Sequence, residues 1–181
     1  MKRTVLVFGL IAGAILSGMM LATVPFLDRI GMDRSQIIGY TTMVLAFLLI
    51  YFGIRSYRDN VGGGSVSFGR ALAVGALIAL VASACYVATW QVLYYGGVSD
   101  DFFERYAEHA VAEARADGAS EREIADKRAE MARFAEMYRN PFVNIGFTFL
   151  EVLPVGLVMA LVSAGILRRR RSDGGAAPMP A

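Results

Sequence analysis

Four long stretches of the chain carry almost no charge, and they constrain the fold more than any other feature. Residues 4–27, 35–54 and 71–99 contain no Asp, Glu, Lys or Arg, and residues 140–167 contain only Glu151. Each stretch is long enough for an α-helix to cross a bilayer, which takes about 20 apolar residues. Only 19% of all residues are charged, whereas soluble domains carry about 25%. The chain is therefore predicted to be an integral membrane protein.

The predicted fold class is all-α, with a single membrane domain over residues 1–171. The alternating apolar and polar pattern of membrane barrel strands is absent from the sequence, which favours helices. Lys2 and Arg3 precede the first stretch as they would a signal peptide, but the apolar run is much longer than a signal peptide needs. We favour a first membrane span there, with a cleaved signal as the alternative. The four predicted spans are 5–25, 36–54, 70–95 and 141–167.

One sizeable polar segment, residues 100–139, separates the third and fourth spans. Gly118 divides it into two runs, and Ser120 followed by Glu123 has the form of a capping box that starts a helix. We predict a helical hairpin whose apolar stripe packs on itself or on the bilayer surface, with partner binding as the alternative. The stripe residues, at helical spacing, are Phe103, Tyr106, Ala110, Ile124, Met131, Phe134 and Tyr138.

The distribution of basic residues predicts the orientation. Nine Lys and Arg residues lie at the N-terminus, in the second connection and after the fourth span, whereas the first connection has only Arg29 and Arg34. Cytoplasmic loops are enriched in basic residues, so both termini are predicted to be cytoplasmic and the net acidic hairpin extracytoplasmic. Seven arginines on the cytoplasmic side are expected to contact lipid headgroups rather than nucleic acid: Arg55, Arg58, Arg70, Arg168, Arg169, Arg170 and Arg171. The tail, 172–181, is predicted to be disordered.

Glu151 is the one ionisable residue deep within a predicted span, and Pro154 follows it by three positions. Acidic groups at such depth usually face a protein interior or water. Glu151 can fix the register of its helix through a hydrogen bond, which we favour, or it can bind a proton or cation. Expected partners at matching depth are Ser17, Cys85, Tyr86 and Thr89.

Small residues recur at intervals of four in two spans, as at sites of close helix packing. They are Gly9, Gly13 and Ser17 in the first span, with Ala14 and Gly18 beside them, and Ala71, Gly75, Ala79 and Ser83 in the third. The spacing leaves open whether these stripes pack within the chain or against another copy.

No constellation in the sequence points to catalysis, a metal or a cofactor. His109, the only histidine, lies near Arg105, Glu108 and Glu113 on the polar hairpin, and we interpret it as a surface residue. Cys85, the only cysteine, has no visible base beside it. We expect a non-enzymatic structural or accessory subunit. The alternative is a small transporter or proton-linked permease that uses Glu151. Expected partners are the lipid bilayer and either another membrane protein or a second copy of the chain.

Three segments of the sequence together resemble the domain-of-unknown-function 4199 family. They are FGIRSYRD at 52–59, FGxA at 68–71, and 138–156, which reads YRNP followed by TxxExxPxG. The resemblance extends over nearly the whole chain, with the segments in the same order. It implies a small bacterial inner-membrane protein of four helices, and it transfers no catalytic residue.

Overall fold

The structure is a computed structural model that describes residues 1–99 and 102–168, apart from the side chain of Asp28. Most of the described residues are helical, and no strand occurs among them. The elements, in chain order, are α1 (Lys2–Thr23), a 3₁₀ turn (Val24–Phe26), α2 (Leu27–Ile30), α3 (Met32–Asn60), α4 (Phe68–Tyr95), α5 (Phe102–Ala116), α6 (Glu121–Tyr138) and α7 (Pro141–Leu167).

Four of these helices are long and apolar enough to cross a membrane. They are α1 with its 3₁₀ turn, α3, α4 and α7. Many of their large apolar side chains point outward, as lipid-facing residues do, including Leu10, Leu45 and Leu161. The predicted all-α class is confirmed for the described residues, and the four predicted spans correspond to these four apolar helices.

α3 extends further than the span predicted at 36–54. It begins at Met32 and continues to Asn60, so Arg55 and Arg58 lie in its last turns rather than in the connection. Both arginines approach Asp59: the Arg58 Nε is 2.7 Å and the Arg55 Nε 3.7 Å from its carboxylate. Arg55 and Asp59 are four positions apart, and such pairs support a helix even where the residues are polar. The end of hydrophobicity therefore marks the end of the apolar span, not of the helix.

α4 is packed against α1 and α7 on two sides, and α3 contacts all three of these helices. Glycines of α1 allow its close approach to α4: a Cβ on Gly9 would lie 2.7 Å from the Val81 Cβ, and one on Gly13 would lie 2.6 Å from the Cys85 Cβ. The stripe of small residues in the first span thus packs within the chain.

The stripe of small residues in α4 packs against α7. A Cβ on Gly75 would lie 2.8 Å from the Ala160 Cβ, and a Cβ on Gly156 would lie 2.7 Å from the Ala79 Cβ. Around this seam Phe47 and other large apolar side chains are fully buried. The spacing left open whether this stripe packs within the chain or against another copy. In the structure it packs within the chain, against α7.

The polar segment forms the predicted helical hairpin of α5 and α6, which pack against each other. The capping box at the start of α6 is confirmed: the Ser120 side chain accepts from the Glu123 N–H, and the Ser120 N–H donates to the Glu123 carboxylate at 2.7 Å. That backbone hydrogen bond holds the pKa of the Glu123 carboxyl below its usual range. Gly118, at a φ of 83°, makes the turn between the helices.

Candidate functional site

Glu151 lines a cleft of about 430 Å³ in the half of the bundle that adjoins the hairpin. Glu151 is exposed and forms part of the cleft wall. Within residues 1–99 and 102–168, no side chain or backbone group forms a hydrogen bond or ion pair with its carboxylate. Of its expected partners, only Tyr86 also lines the cleft. The hydroxyls of Ser17 and Thr89 lie 2.8 Å apart, and both are within hydrogen-bonding distance of the Cys85 carbonyl. Those three residues connect α1 to α4 instead.

The cleft exists because the first part of α3 is not packed into the bundle. All of the buried residues of α3 lie from Thr42 onward, and residues 32–41 contain none. The end of α1 and the beginning of α3 form one wall, α4 and α7 form the other, and α5 covers the end. The lining residues are Leu16, Met19, Met20, Thr23, Val24, Leu27, Met32, Ser35, Gln36, Gly39, Tyr40, Thr42, Met43, Tyr86, Trp90, Phe102, Tyr106, Tyr138, Thr148 and Glu151.

The lining combines a single charge with aromatic, thioether and hydroxyl groups. Among its described residues only Glu151 is charged, and none is basic. Tyr86 and Tyr138 line the same cleft as Glu151. An ionised carboxylate in such surroundings gains most from a positively charged ligand, because few other groups there can compensate its charge.

Tyr138 connects the hairpin to the wall of the cleft. The Trp90 Nε1 donates to its hydroxyl at 3.0 Å, and the Thr148 hydroxyl lies 3.1 Å from the same oxygen. Its ring centroid is 4.8 Å from that of Phe103 on α5. Burial raises the pKa of the Tyr138 phenol, so it stays neutral at physiological pH. The hydroxyl therefore fixes α4, α6 and α7 relative to one another next to Glu151.

A second polar contact braces the same end of the bundle. The fully buried Asn144 accepts a hydrogen bond of 2.6 Å from the Gln91 Nε2, and its backbone carbonyl accepts one of 2.8 Å from Thr148. Neither Asn144 nor Gln91 was predicted from the sequence as a site residue. An amide side chain within an apolar span indicates a polar contact between helices, because buried amides need hydrogen-bond partners. Both residues carry this signal in the sequence.

Asn140 and Pro141 start α7. The Phe142 N–H donates to the Asn140 Oδ1 at 2.9 Å, and Pro141 occupies the first helical position. The helix continues through Pro154, which has no N–H for the Leu150 carbonyl one turn earlier. Leu150 is exposed and is not among the residues that line the cleft.

The arginines predicted to contact headgroups lie away from the cleft. Arg55, Arg70 and Arg168 are exposed and Arg58 is half-buried, at the helix ends opposite the hairpin. Their contact with lipid stays a prediction. Arg169, Arg170 and Arg171 lie outside the described residues, as does the tail predicted to be disordered.

The chain matches the model of one protein family. No curated protein and no solved structure matches the chain. The family model described as "Protein of unknown function (DUF4199)" matches residues 7–169, which include the hairpin, three of the four apolar helices and the first apolar helix from residue 7 onward. The chain is thus a membrane protein with four spanning helices, and it belongs to the DUF4199 family.

Proposed function

We propose that this protein is non-enzymatic and binds a small organic cation in the cleft, with Glu151 as the counter-charge. One observation carries the proposal: Glu151 is the only charged group among the described lining residues, and its side chain is accessible from the cleft. This access is the condition that transport through Glu151 requires, so the geometry favours a binding role over a purely register-fixing one.

The remaining lining residues define the rest of the ligand. Trp90, Tyr86 and Tyr106 present aromatic surfaces, and the four methionines of the lining supply adaptable apolar contacts. A cation over an aromatic face gains about 0.5–2 kcal/mol, most when it is desolvated. We therefore propose an amine or quaternary ammonium compound with an apolar body.

Trp90 provides a direct measurement of binding, because it is the only tryptophan in the chain and it lines the cleft. Benzyltrimethylammonium is titrated into the purified protein in detergent while Trp90 fluorescence is recorded. Glu151→Gln should weaken binding by at least about tenfold, since interactions with a charged partner contribute about 1.5–3 kcal/mol. Glu104→Gln, an exposed acid on α5 outside the cleft, should leave the affinity unchanged.

The uncharged isostere neopentylbenzene separates charge recognition from partition into an apolar space. It should bind wild type and Glu151→Gln equally. Saturable binding of the cation with the same affinity in wild type and Glu151→Gln would overturn the assignment of Glu151. No binding of the cation by the wild type would overturn the proposed ligand class.

Proton-linked transport is the extension of this role that we propose for Glu151. Proteoliposomes loaded with a pH indicator report proton movement when benzyltrimethylammonium is added outside. Glu151→Gln keeps the shape of the side chain and removes its titration, so coupled movement should disappear while expression persists. Binding without any proton or cation movement in the wild type would restrict the protein to binding.

We further propose a bacterial inner-membrane location with both termini cytoplasmic. The excess of basic residues at the helix ends opposite the hairpin supports this orientation, because positively charged loops stay in the cytoplasm. Reporter fusions after Gly64 and after Gly118 should give cytoplasmic and external activity, respectively. The reverse result would invert the topology and place the cleft towards the cytoplasm.

An accessory-subunit role is the second candidate. Ala14 and Gly18 are exposed on α1, and a Cβ on Gly18 would meet no atom within 4 Å, so a helix of another membrane protein or of a second copy can approach there. Purification in a mild detergent should then return a second membrane protein, and Gly18→Leu should release it. Recovery of this chain alone as a monomer would leave the accessory role without support.

A further inference from the structure

Two distant segments of the chain meet beside the mouth of the cleft. Asp33 lies in the first turn of α3, and His109 and Glu113 lie one turn apart on α5. The His109 Nε2 is 2.9 Å from the Asp33 Oδ1, and one ligand atom from each of the three side chains lies within 4.8 Å of the other two. Met32, Ser35 and Tyr106, which are their neighbours in sequence, line the cleft.

The chemistry of these three groups matches a divalent transition metal. One imidazole nitrogen and two carboxylate oxygens are ligands that zinc accepts, at about 2.0–2.2 Å, whereas Ca²⁺ and Mg²⁺ prefer oxygen alone. Ligands of a tetrahedral ion at these distances stand about 3.4 Å apart. The present separations are at most 4.8 Å, and Asp33 and Glu113 are exposed, so their side chains have room to adjust on binding an ion.

We propose that Asp33, His109 and Glu113 form a site for Zn²⁺ or a similar divalent transition metal. Three protein ligands leave a coordination position for water or another ligand, as in open zinc sites. His109 and Glu113 are four positions apart, so both lie on one face of α5. Asp33 supplies the third ligand from α3. A bound metal ion connects α5 to the beginning of α3. That part of α3 lines the cleft and has no residue buried in the core of the bundle.

His109 gives an unambiguous readout because the chain contains no other histidine. The full-length protein, purified through a tag without histidine and treated with chelator, is labelled with ¹⁵N-histidine. Zn²⁺ alone is titrated, and the imidazole ¹⁵N shifts are recorded together with the affinity from calorimetry. We expect one Zn²⁺ per chain, a shift of the Nε2 resonance, and no such change with Ca²⁺ or Mg²⁺.

The variants Asp33→Asn, Glu113→Gln and His109→Gln test the ligand set. Each should weaken Zn²⁺ binding by more than about tenfold, because loss of even an outer-shell partner costs about 10–100-fold. Glu108→Gln is the matched control, since it removes one acidic charge beside His109 without touching the triad, and its affinity should equal that of wild type. All the positions are on the surface or half-buried, and size-exclusion profiles verify that the variants fold.

Absence of a Zn²⁺-dependent shift of His109 would overturn the site. If Asp33→Asn and Glu113→Gln keep the Zn²⁺-dependent shift of His109 and the Zn²⁺ affinity of wild type, the assignment of Asp33 and Glu113 as ligands is wrong. These outcomes are independent of the proposed cation binding, because the imidazole signal reports the triad and Trp90 fluorescence reports the cleft.

Discussion

The two halves of the bundle are built on different packing principles. In the half away from the hairpin, Gly75 and Gly156 bring α4 and α7 into direct contact, and Phe47 fills the remaining space completely. In the half next to the hairpin, rings and hydroxyls such as Trp90 and Tyr138 join the helices and leave a cleft beside them. Small residues favour tight, continuous packing, whereas large side chains joined at their tips hold helices together without filling the space between them. We call these the closed half and the open half.

The largest expected effect tests the closed half. Gly156→Leu places a side chain where even a Cβ would lie 2.7 Å from the Ala79 Cβ and 3.0 Å from the Phe47 ring. Overpacking a core commonly destabilises by about 1–3 kcal/mol, and we expect the upper end here because both neighbours are fully buried. Thermal unfolding in detergent should show a clear fall. Gly165→Leu, on the same helix with no atom within 4 Å of a Cβ, is the control and should unfold like wild type. Equal behaviour of the two variants would contradict the comparison.

The second-largest expected effect tests the hydrogen bonds of Tyr138, which join the helices in the open half. Tyr138→Phe keeps the ring but removes the acceptor of the Trp90 N–H and the partner of the Thr148 hydroxyl. A buried donor left without a partner costs about 1–3 kcal/mol. We expect a destabilisation of about 1–2 kcal/mol and a change in Trp90 fluorescence. Phe134→Tyr, on the same helix, retains both hydrogen bonds and serves as a control for altered ring polarity. An unchanged unfolding midpoint in Tyr138→Phe would show that ring packing alone holds the hairpin.

The hairpin should also respond to pH through its capping box. The Ser120 backbone N–H lowers the pKa of Glu123 in the folded state. Ionised Glu123 therefore stabilises the folded hairpin, and this stabilisation is fully present above the unfolded-state pKa of about 4.3. It is lost as the pH falls through the lowered folded-state pKa. Amide hydrogen exchange at the start of α6 should therefore accelerate, relative to intrinsic rates, in acid. Glu123→Gln retains cap geometry without titration and should abolish this dependence. Ser120→Ala removes the side-chain acceptor of the Glu123 N–H and should weaken the start of α6 by about 1 kcal/mol.

The smallest effect on stability is expected inside the cleft. Gly39 lines it on α3, and a Cβ there would meet no atom within 4 Å. Gly39→Leu should leave the unfolding midpoint unchanged or slightly raised, because leucine has the higher helix propensity. Binding of benzyltrimethylammonium should fall, since the new side chain occupies part of the cleft. A destabilised Gly39→Leu protein would mean that the open half tolerates bulk no better than the closed half.

Features that depend on neighbouring residues were predictable from the sequence. The four spans follow from hydrophobic length, and the start of α6 follows from Ser120 and Glu123. α3 continues beyond the span predicted at 36–54, because a charge at Arg55 ends the apolar pattern without ending the helix. For the site, Glu151 was identifiable as an acid in an apolar span, but three of its four expected partners belong to a different contact.

By itself, the sequence determined the all-α class, the four apolar spans and the hairpin, because hydrophobic length, helix propensity and caps are local properties. Only the tertiary structure decided which faces meet. It brought Gly13 to Cys85, left Glu151 in a cleft instead of against Thr89, and placed Asp33 beside His109. Such pairings join residues about 70 or more positions apart, and they depend on which side chains leave room for two helices to approach. Spacing along one helix carries no information about the helix it will face.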